Sequence, residues 1–478
     1  MFRTYRALAI QRLARLGPRY LPFADVASDD LPLLRLLRLS LFQVSVGMAL
    51  VLLVGTLNRV MIVELAVPAT LVGVMISLPL VFAPFRALIG HRSDMHRSAL
   101  GWRRIPFIWK GSMLQFGGFA IMPFALLVLS GYAEAADAPR WIGYASAALA
   151  FLLVGAGVHI VQTVGLALAT DLAPPEDQPR VVGLMYVMLM LGMILSALVF
   201  GALLSDYTPG RLIQVIQASA VLTLALNIVA LWKQEARDRT RAYQPPPEDP
   251  SFAAAWRGLM NDDVAVRRLV LIGLGTMGFG MAEVLLEPYG GQVLALSVSQ
   301  TTKLTALFAF GGILGLALAS YRLGRGGGAI PLAALGTVIG APAFLAIMTA
   351  GFLQTGAGGS ALIEAASWLF VVGVIGTGFG AGLFGHATLT ATMRAAPKES
   401  AGFALGAWGA VQATAAGVAI AIGGVLRDLL WGMSSSGGAD AAYPYAAVFG
   451  LEIVFLIAAA FVAMSLMKSQ AQKSMQTG

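Results

Sequence analysis

Two histidines stand inside otherwise apolar sequence, His159 in GAGVHIVQT and His386 in GLFGHATLT. A neutral imidazole can act as the axial ligand of a chelated metal or hydrogen-bond to a neighbouring backbone or hydroxyl group, and each position leaves both uses open. Gln162 follows His159 by three residues and so shares its helical face. Gly382 and Gly385 precede His386; such small residues either let helices approach closely or form a flat wall for a planar ligand. Glu283, in GMAEVLL, and Glu452, in GLEIVFL, are acids set within apolar runs, each read as a proton-linked group or as a paired or snorkelling carboxylate. The four histidines are scattered at 91, 96, 159 and 386 and there is no cysteine, so no metal cluster held by protein alone, disulfide or thiol nucleophile is expected. No phosphate-cradling loop or dinucleotide fingerprint is present, so neither an enzyme nor a nucleotide-driven pump is expected.

A second group of charged residues lies in GHRSDMHRSALGWRRIP, from Gly90 to Pro106, between two apolar runs. Asp94 follows Gly90 by four residues, and Gly101 leads into Arg103 and Arg104. Asp94 could accept hydrogen bonds from the amides that begin a later helix near Ala401 and Gly402, held by the two arginines, and so clamp two halves of the molecule together. Equally, the arginines could serve only to fix the orientation of the hairpin.

The elements that must position these groups follow from composition. The chain of 478 residues is 58% hydrophobic and 12% charged, about half the charge of an average globular protein. Apolar runs of roughly 20 residues recur, each long enough to cross a hydrocarbon core as a helix. They predict an all-α membrane protein of twelve spans, at 39–64, 68–90, 105–130, 141–170, 180–205, 211–233, 268–289, 301–322, 329–352, 361–389, 402–427 and 443–467. With a cytoplasmic amino terminus, 27 of the 32 basic residues fall on the inner side, which places both termini in the cytoplasm. The net charge of +8 is therefore read as a matter of orientation, and no nucleic-acid partner is expected.

Residues 1–38 carry no recognisable secretory leader. Tyr5, Leu8, Ala9, Leu13 and Leu16 share one helical face opposite Arg3, Arg6, Arg12 and Arg15, a pattern read as a basic amphipathic helix on anionic lipid, a docking element, or an unstructured tail. The segment 234–267 contains the charged, proline-rich run EARDRTRAYQPPPEDP and separates bundles at 39–233 and 268–467; a tail at 468–478 follows. The bundles echo each other: Gly47-Met48-Ala49 and Val51-Leu52-Leu53 recur as Gly280-Met281-Ala282 and Val284-Leu285-Leu286. His159 lies 12 residues before Asp171, about 18 Å along a helix and near the middle of its span.

The Gly90–Arg104 loop resembles the signature loop of the major facilitator superfamily, with an insertion that moves Gly101 to seven residues after Asp94. That loop, with QTVGLALATDLAPPEDQPRVVGLMY and GHATLTATMRAAPKESAGFALGAWGA, resembles the bacteriochlorophyll-delivery (PucC/LhaA-type) antenna-assembly family over essentially the whole chain. The resemblance implies two pseudo-symmetric six-helix bundles in a phototroph's intracytoplasmic (chromatophore) membrane. It implies transient binding or delivery of bacteriochlorophyll and chaperoning of light-harvesting polypeptides, with the reaction centre and pigment-synthesis enzymes as further partners. The long basic amino-terminal segment tips the choice of client toward the core complex over the peripheral antenna. His159, Gln162, His386, Gly382 and Gly385 would then line a pigment site, with either histidine ligating magnesium. A proton-coupled transporter of an organic solute, using Glu283 or Glu452, is the alternative.

Overall fold

The computed structural model describes residues 32–81, 86, 89, 92, 93, 96, 102–131, 135, 137–173, 178–235, 257, 259–356, 360–395, 401–433 and 441–477, and the regular structure among them is helical throughout. In chain order the helices are α1 (Leu33–Glu64), α2 (Ala69–Val81), α3 (Ile105–Ser130), α4 (Arg140–Leu172), α5 (Gln178–Leu203) and α6 (Pro209–Leu231). They continue with α7 (Asp263–Gln292), α8 (Val298–Gly324), α9 (Ala329–Gly356), α10 (Ser360–Ala395), α11 (Ala401–Met433) and α12 (Ala442–Thr477). Among the described residues eleven helices are long and apolar enough to cross a bilayer, and α2 is described over a shorter length.

Helix packing divides six and six. In the first half α1 packs on α5 and α6, and α3 on α4 and α6; in the second, α9 packs on α10 and α12, α8 on α10, and α7 on α11 and α12. Two seams join the halves, α2 against α11 and α5 against α8. In hydrocarbon, apolar side chains gain nothing by leaving lipid for protein, so close backbone approach has to supply the attraction. Glycine supplies it along α8 and α10: a Cβ on Gly311 would stand 2.1 Å from the Ile375 carbonyl oxygen, and one on Gly378 2.0 Å from that of Phe308. Buried polar groups tie the first half together: the Ser45 hydroxyl donates to Asn227 Oδ1 at 2.8 Å, and Asn227 Nδ2 donates to Ser112 Oγ at 2.8 Å, linking α1, α6 and α3. Gly131 ends α3 in the left-handed conformation, φ 62°, which a side chain would strain.

Three helices depart from the expected uniform spans. Over Val51–Leu57 and Val60–Glu64, α1 widens to π-helical hydrogen bonding, a form often found at working sites. The seventh helix breaks after Gly280 at Met281 and resumes at Ala282. Helix α12 runs on to Thr477, through most of the segment read as a tail. The amphipathic segment is described only from residue 32, where Leu33–Leu39 already belongs to α1; residues 1–31 lie outside the described residues.

Candidate functional site

The most unusual side chain within the membrane-spanning body is Arg86. It lies beyond the described end of α2 and reaches α4, where its Nε donates to Thr163 Oγ1 at 3.0 Å and its Nη2 to Gln162 Oε1 at 2.9 Å. His159 lies on the same face of α4, and its Nδ1 is enclosed with no hydrogen-bond partner among the described residues. Tyr186 of α5 completes the group, close enough for its phenol to interact electrostatically with the guanidinium. The sequence brings these helices together by shape: Gly155, one turn before His159, leaves the space that Pro79 of α2 fills, where a Cβ would lie 2.4 Å from the proline ring. Helices α2 and α5 are also those that form the seams with the second half. Arg86, His159, Gln162, Thr163 and Tyr186 are all half-buried.

The second histidine has a different setting. His386 Nε2 lies 3.2 Å from Ser320 Oγ, a hydrogen bond between α10 and α8. A Cβ on Gly382 would stand 2.3 Å from the Gly312 carbonyl oxygen, so the α8 backbone occupies the surface that Gly382 offers. Gly385 faces open space, with no atom within 4 Å of where its Cβ would be. The five residues read as one pigment site thus fall into two groups, His159 with Gln162 in the first half and His386 with Gly382 and Gly385 in the second.

The acids also separate. Glu452 of α12 is fully buried, and its Oε1 accepts from the Ala282 amide at 2.7 Å, at the break in α7. A carboxylate facing a free helix start meets unsatisfied amides and the positive end of the dipole, which accounts for the burial. Glu283 is exposed, although Ala282, Val284, Leu285 and Leu286 around it are buried. In the loop, Gly90, Asp94 and Gly101 lie outside the described residues. Arg103 and Arg104 both pair with Asp171 at the end of α4, Arg104 Nε at 3.0 Å, and Arg104 Nη1 donates to Ser93 Oγ at 2.5 Å. Glu235 caps the start of α3, accepting from the amides of Arg103 at 2.6 Å, Arg104 at 3.0 Å and Ile105 at 3.0 Å. These contacts bind the first half to itself.

At the opposite end of the bundle, polar contacts that no sequence pattern indicated join the two halves. Asn58 donates to the Val284 carbonyl, Thr56 and Thr302 hydroxyls lie 3.2 Å apart, and Arg59 Nη2 donates to the Leu296 carbonyl at 3.2 Å. Ser299 donates to the Gly201 carbonyl at 2.5 Å, and the Thr70 amide to Asp428 Oδ2 at 2.6 Å. Arg59 also pairs with Glu64, and buried Glu287 accepts from Thr305 beside Gly55, in the widened part of α1. Burial first, then the Glu64 charge, hold the Tyr207 phenol up at about 12, so it remains a neutral neighbour of this pair. Arg427 binds within the second half, bonding Gln292 Oε1 at 2.5 Å and pairing at 2.8 Å with Asp428, the residue that meets α2.

Comparisons with known proteins agree over nearly the full length. The profile of a family described as PUCC protein matches residues 56–471. Protein PucC of Rhodobacter capsulatus is 60% identical over 465 residues, covering 97% of this chain and 99% of its own. The bacteriochlorophyll synthase 44.5 kDa chain of the same species is more distant, 29% identical over 440 residues, covering 90% and 94%. Among solved structures, an inward-facing bacterial homologue of the lysosomal transporter Spinster superposes with a TM-score of 0.62 at 17% identity, covering 91% of this chain and 96% of that one. The likeness shows a shared major facilitator fold.

Proposed function

This chain belongs to the PUCC protein family, and from that membership together with the α2–α4–α5 polar group we propose that it is an assembly factor for a light-harvesting antenna. In this reading it holds bacteriochlorophyll transiently and passes it to antenna polypeptides that dock on the lipid-facing helices. It works by binding and release, without catalysing a reaction. The core complex is the favoured client over the peripheral antenna, and the reaction centre and pigment-synthesis enzymes are the remaining partners. Both termini lie in the cytoplasm, the membrane is the intracytoplasmic one, and the basic amino-terminal segment rests on anionic lipid.

The observation that carries the proposal is His159, an imidazole within the membrane body whose Nδ1 has no partner among the described residues. A chelated magnesium takes one or two axial ligands, and a nitrogen in an apolar setting suits it. His386 is the weaker candidate because Ser320 already engages its Nε2. Bound bacteriochlorophyll would supply the magnesium; the chain supplies the nitrogen and the polar fork of Arg86 and Gln162.

The test is the absorption spectrum of the protein purified from pigment-producing cells. A long-wave bacteriochlorophyll band should co-purify and should be lost in the double variant His159→Leu, His386→Leu. No band, or a band unchanged in the variant, overturns the reading. Solute flux into vesicles that depends on Glu283 would favour the transporter alternative.

A further inference from the structure

Helix α12 changes character along one face as it leaves the apolar body. Phe461, Met464, Ser465, Lys468 and Ser469 recur at helical spacing and so form one stripe. Phe461 and Met464 are exposed and apolar; the hydroxyls and the ammonium follow them toward the helix end. From Phe461 to Lys468 the helix rises about 10 Å. Helix α7 packs beside this stripe, and its Arg267 forms the other wall of a groove of about 580 Å³. The groove lies at the level where apolar sequence gives way to charge. Lys468 is the first charged residue after Glu452 on α12, and Arg267 with Arg268 are the last before Glu283 on α7. The two adjacent arginines serve different ends. Arg268 Nη1 donates to the Ala391 carbonyl at 3.3 Å and ties α7 to α10, whereas Arg267 bonds the Asp263 carbonyl of its own helix at 3.4 Å and lines the groove.

We propose that this groove binds an anionic phospholipid, with the phosphate between Arg267 and Lys468, Ser465 and Ser469 as further donors, and an acyl chain laid along Met464 and Phe461. A basic pocket between helices at the membrane surface is suited to a charged headgroup, and guanidinium and ammonium bond phosphate oxygens strongly. The order of groups along α12, apolar and then cationic, repeats the order along a lipid from chain to headgroup. Free phosphate would satisfy the bases and leave Phe461 and Met464 uncovered. A zwitterionic lipid carries the same phosphate but brings a cation of its own, which two bases repel. The bound lipid joins α7 to α12 at the membrane surface, as Glu452 joins them deeper in the body through the Ala282 amide. This site stands apart from the amino-terminal segment and is independent of the pigment reading.

The experiment uses the full chain in phosphatidylcholine vesicles. Because the chain lacks cysteine, Phe461→Cys places a single bimane fluorophore in the groove, where a brominated lipid quenches it. Brominated phosphatidylglycerol should quench with an apparent affinity roughly tenfold above that of brominated phosphatidylcholine, as two bases near the surface require. Arg267→Gln combined with Lys468→Gln should bring the two lipids to equal quenching. Inorganic phosphate at millimolar concentration should not displace the phosphatidylglycerol. Equal quenching by the two lipids with both bases in place overturns the proposal, and this comparison needs no charge variant that folds. A preference that persists in a folded double variant also overturns it. Displacement by phosphate would reveal a simple anion site and overturn the lipid assignment.

Discussion

Glu452 shows how a single side chain changes meaning once its neighbours are known. In the sequence it is an acid within an apolar run, and a proton site is a fair reading. In the fold it accepts from the Ala282 amide where α7 restarts, so its acceptor oxygen is what the helix break requires. Glu452→Leu should leave that amide unbonded in an apolar setting and destabilise the protein by about 1–3 kcal/mol, read as a lower melting temperature in detergent. Glu452→Gln keeps an acceptor and should melt close to the parent. The glycines divide in the same manner. Gly382→Val would force its Cβ into the Gly312 carbonyl and should cost about 1–3 kcal/mol of strain. Gly385→Ala meets nothing and should stabilise α10 by up to about 1 kcal/mol. Sequence could place His159 and Gln162 on one face because three residues make a helical neighbour. It could not supply Arg86, which comes from another helix 76 residues away.

At the scale of elements, the spans were legible because a bilayer imposes a length and an apolar composition on each one. The break in α7 was not, because Gly273, Gly275, Gly278 and Gly280 read equally well as packing glycines. The contacts between halves were illegible for a different reason: they pair α1 with the end of α7, α2 with α11, and α5 with α8, and no local pattern records such partners. They form a seal at the end of the bundle away from the start of α1. Replacing Asn58 with Leu and Arg59 with Ala should loosen that seal. The chain lacks cysteine, so a Ser299→Cys probe buried in the seam reports opening against no background. Losing a charge-assisted hydrogen bond costs about 1.5–3 kcal/mol, so labelling by a water-soluble maleimide should quicken roughly tenfold in the loosened variant. Unchanged labelling would mean that the seal rests on packing alone.

For the whole molecule, two six-helix halves meeting along the α2–α11 and α5–α8 seams give a transporter-like frame. That frame carries little charge for its size and a polar group concentrated on α2, α4 and α5. The loop from Gly90 to Arg104 carries the superfamily resemblance, yet the described contacts of Arg103 and Arg104 stabilise one half. Arg103→Ala with Arg104→Ala should therefore lower the melting temperature of the first half more than it alters closure at the seam. The claim on which the functional account depends is that this protein serves antenna assembly. Its most direct test is to delete the gene from a phototroph that makes it and measure antenna absorption in the isolated membranes, with total bacteriochlorophyll synthesis followed in parallel. The account predicts that the antenna band falls severalfold while the cells still make pigment. An undiminished antenna band would contradict it.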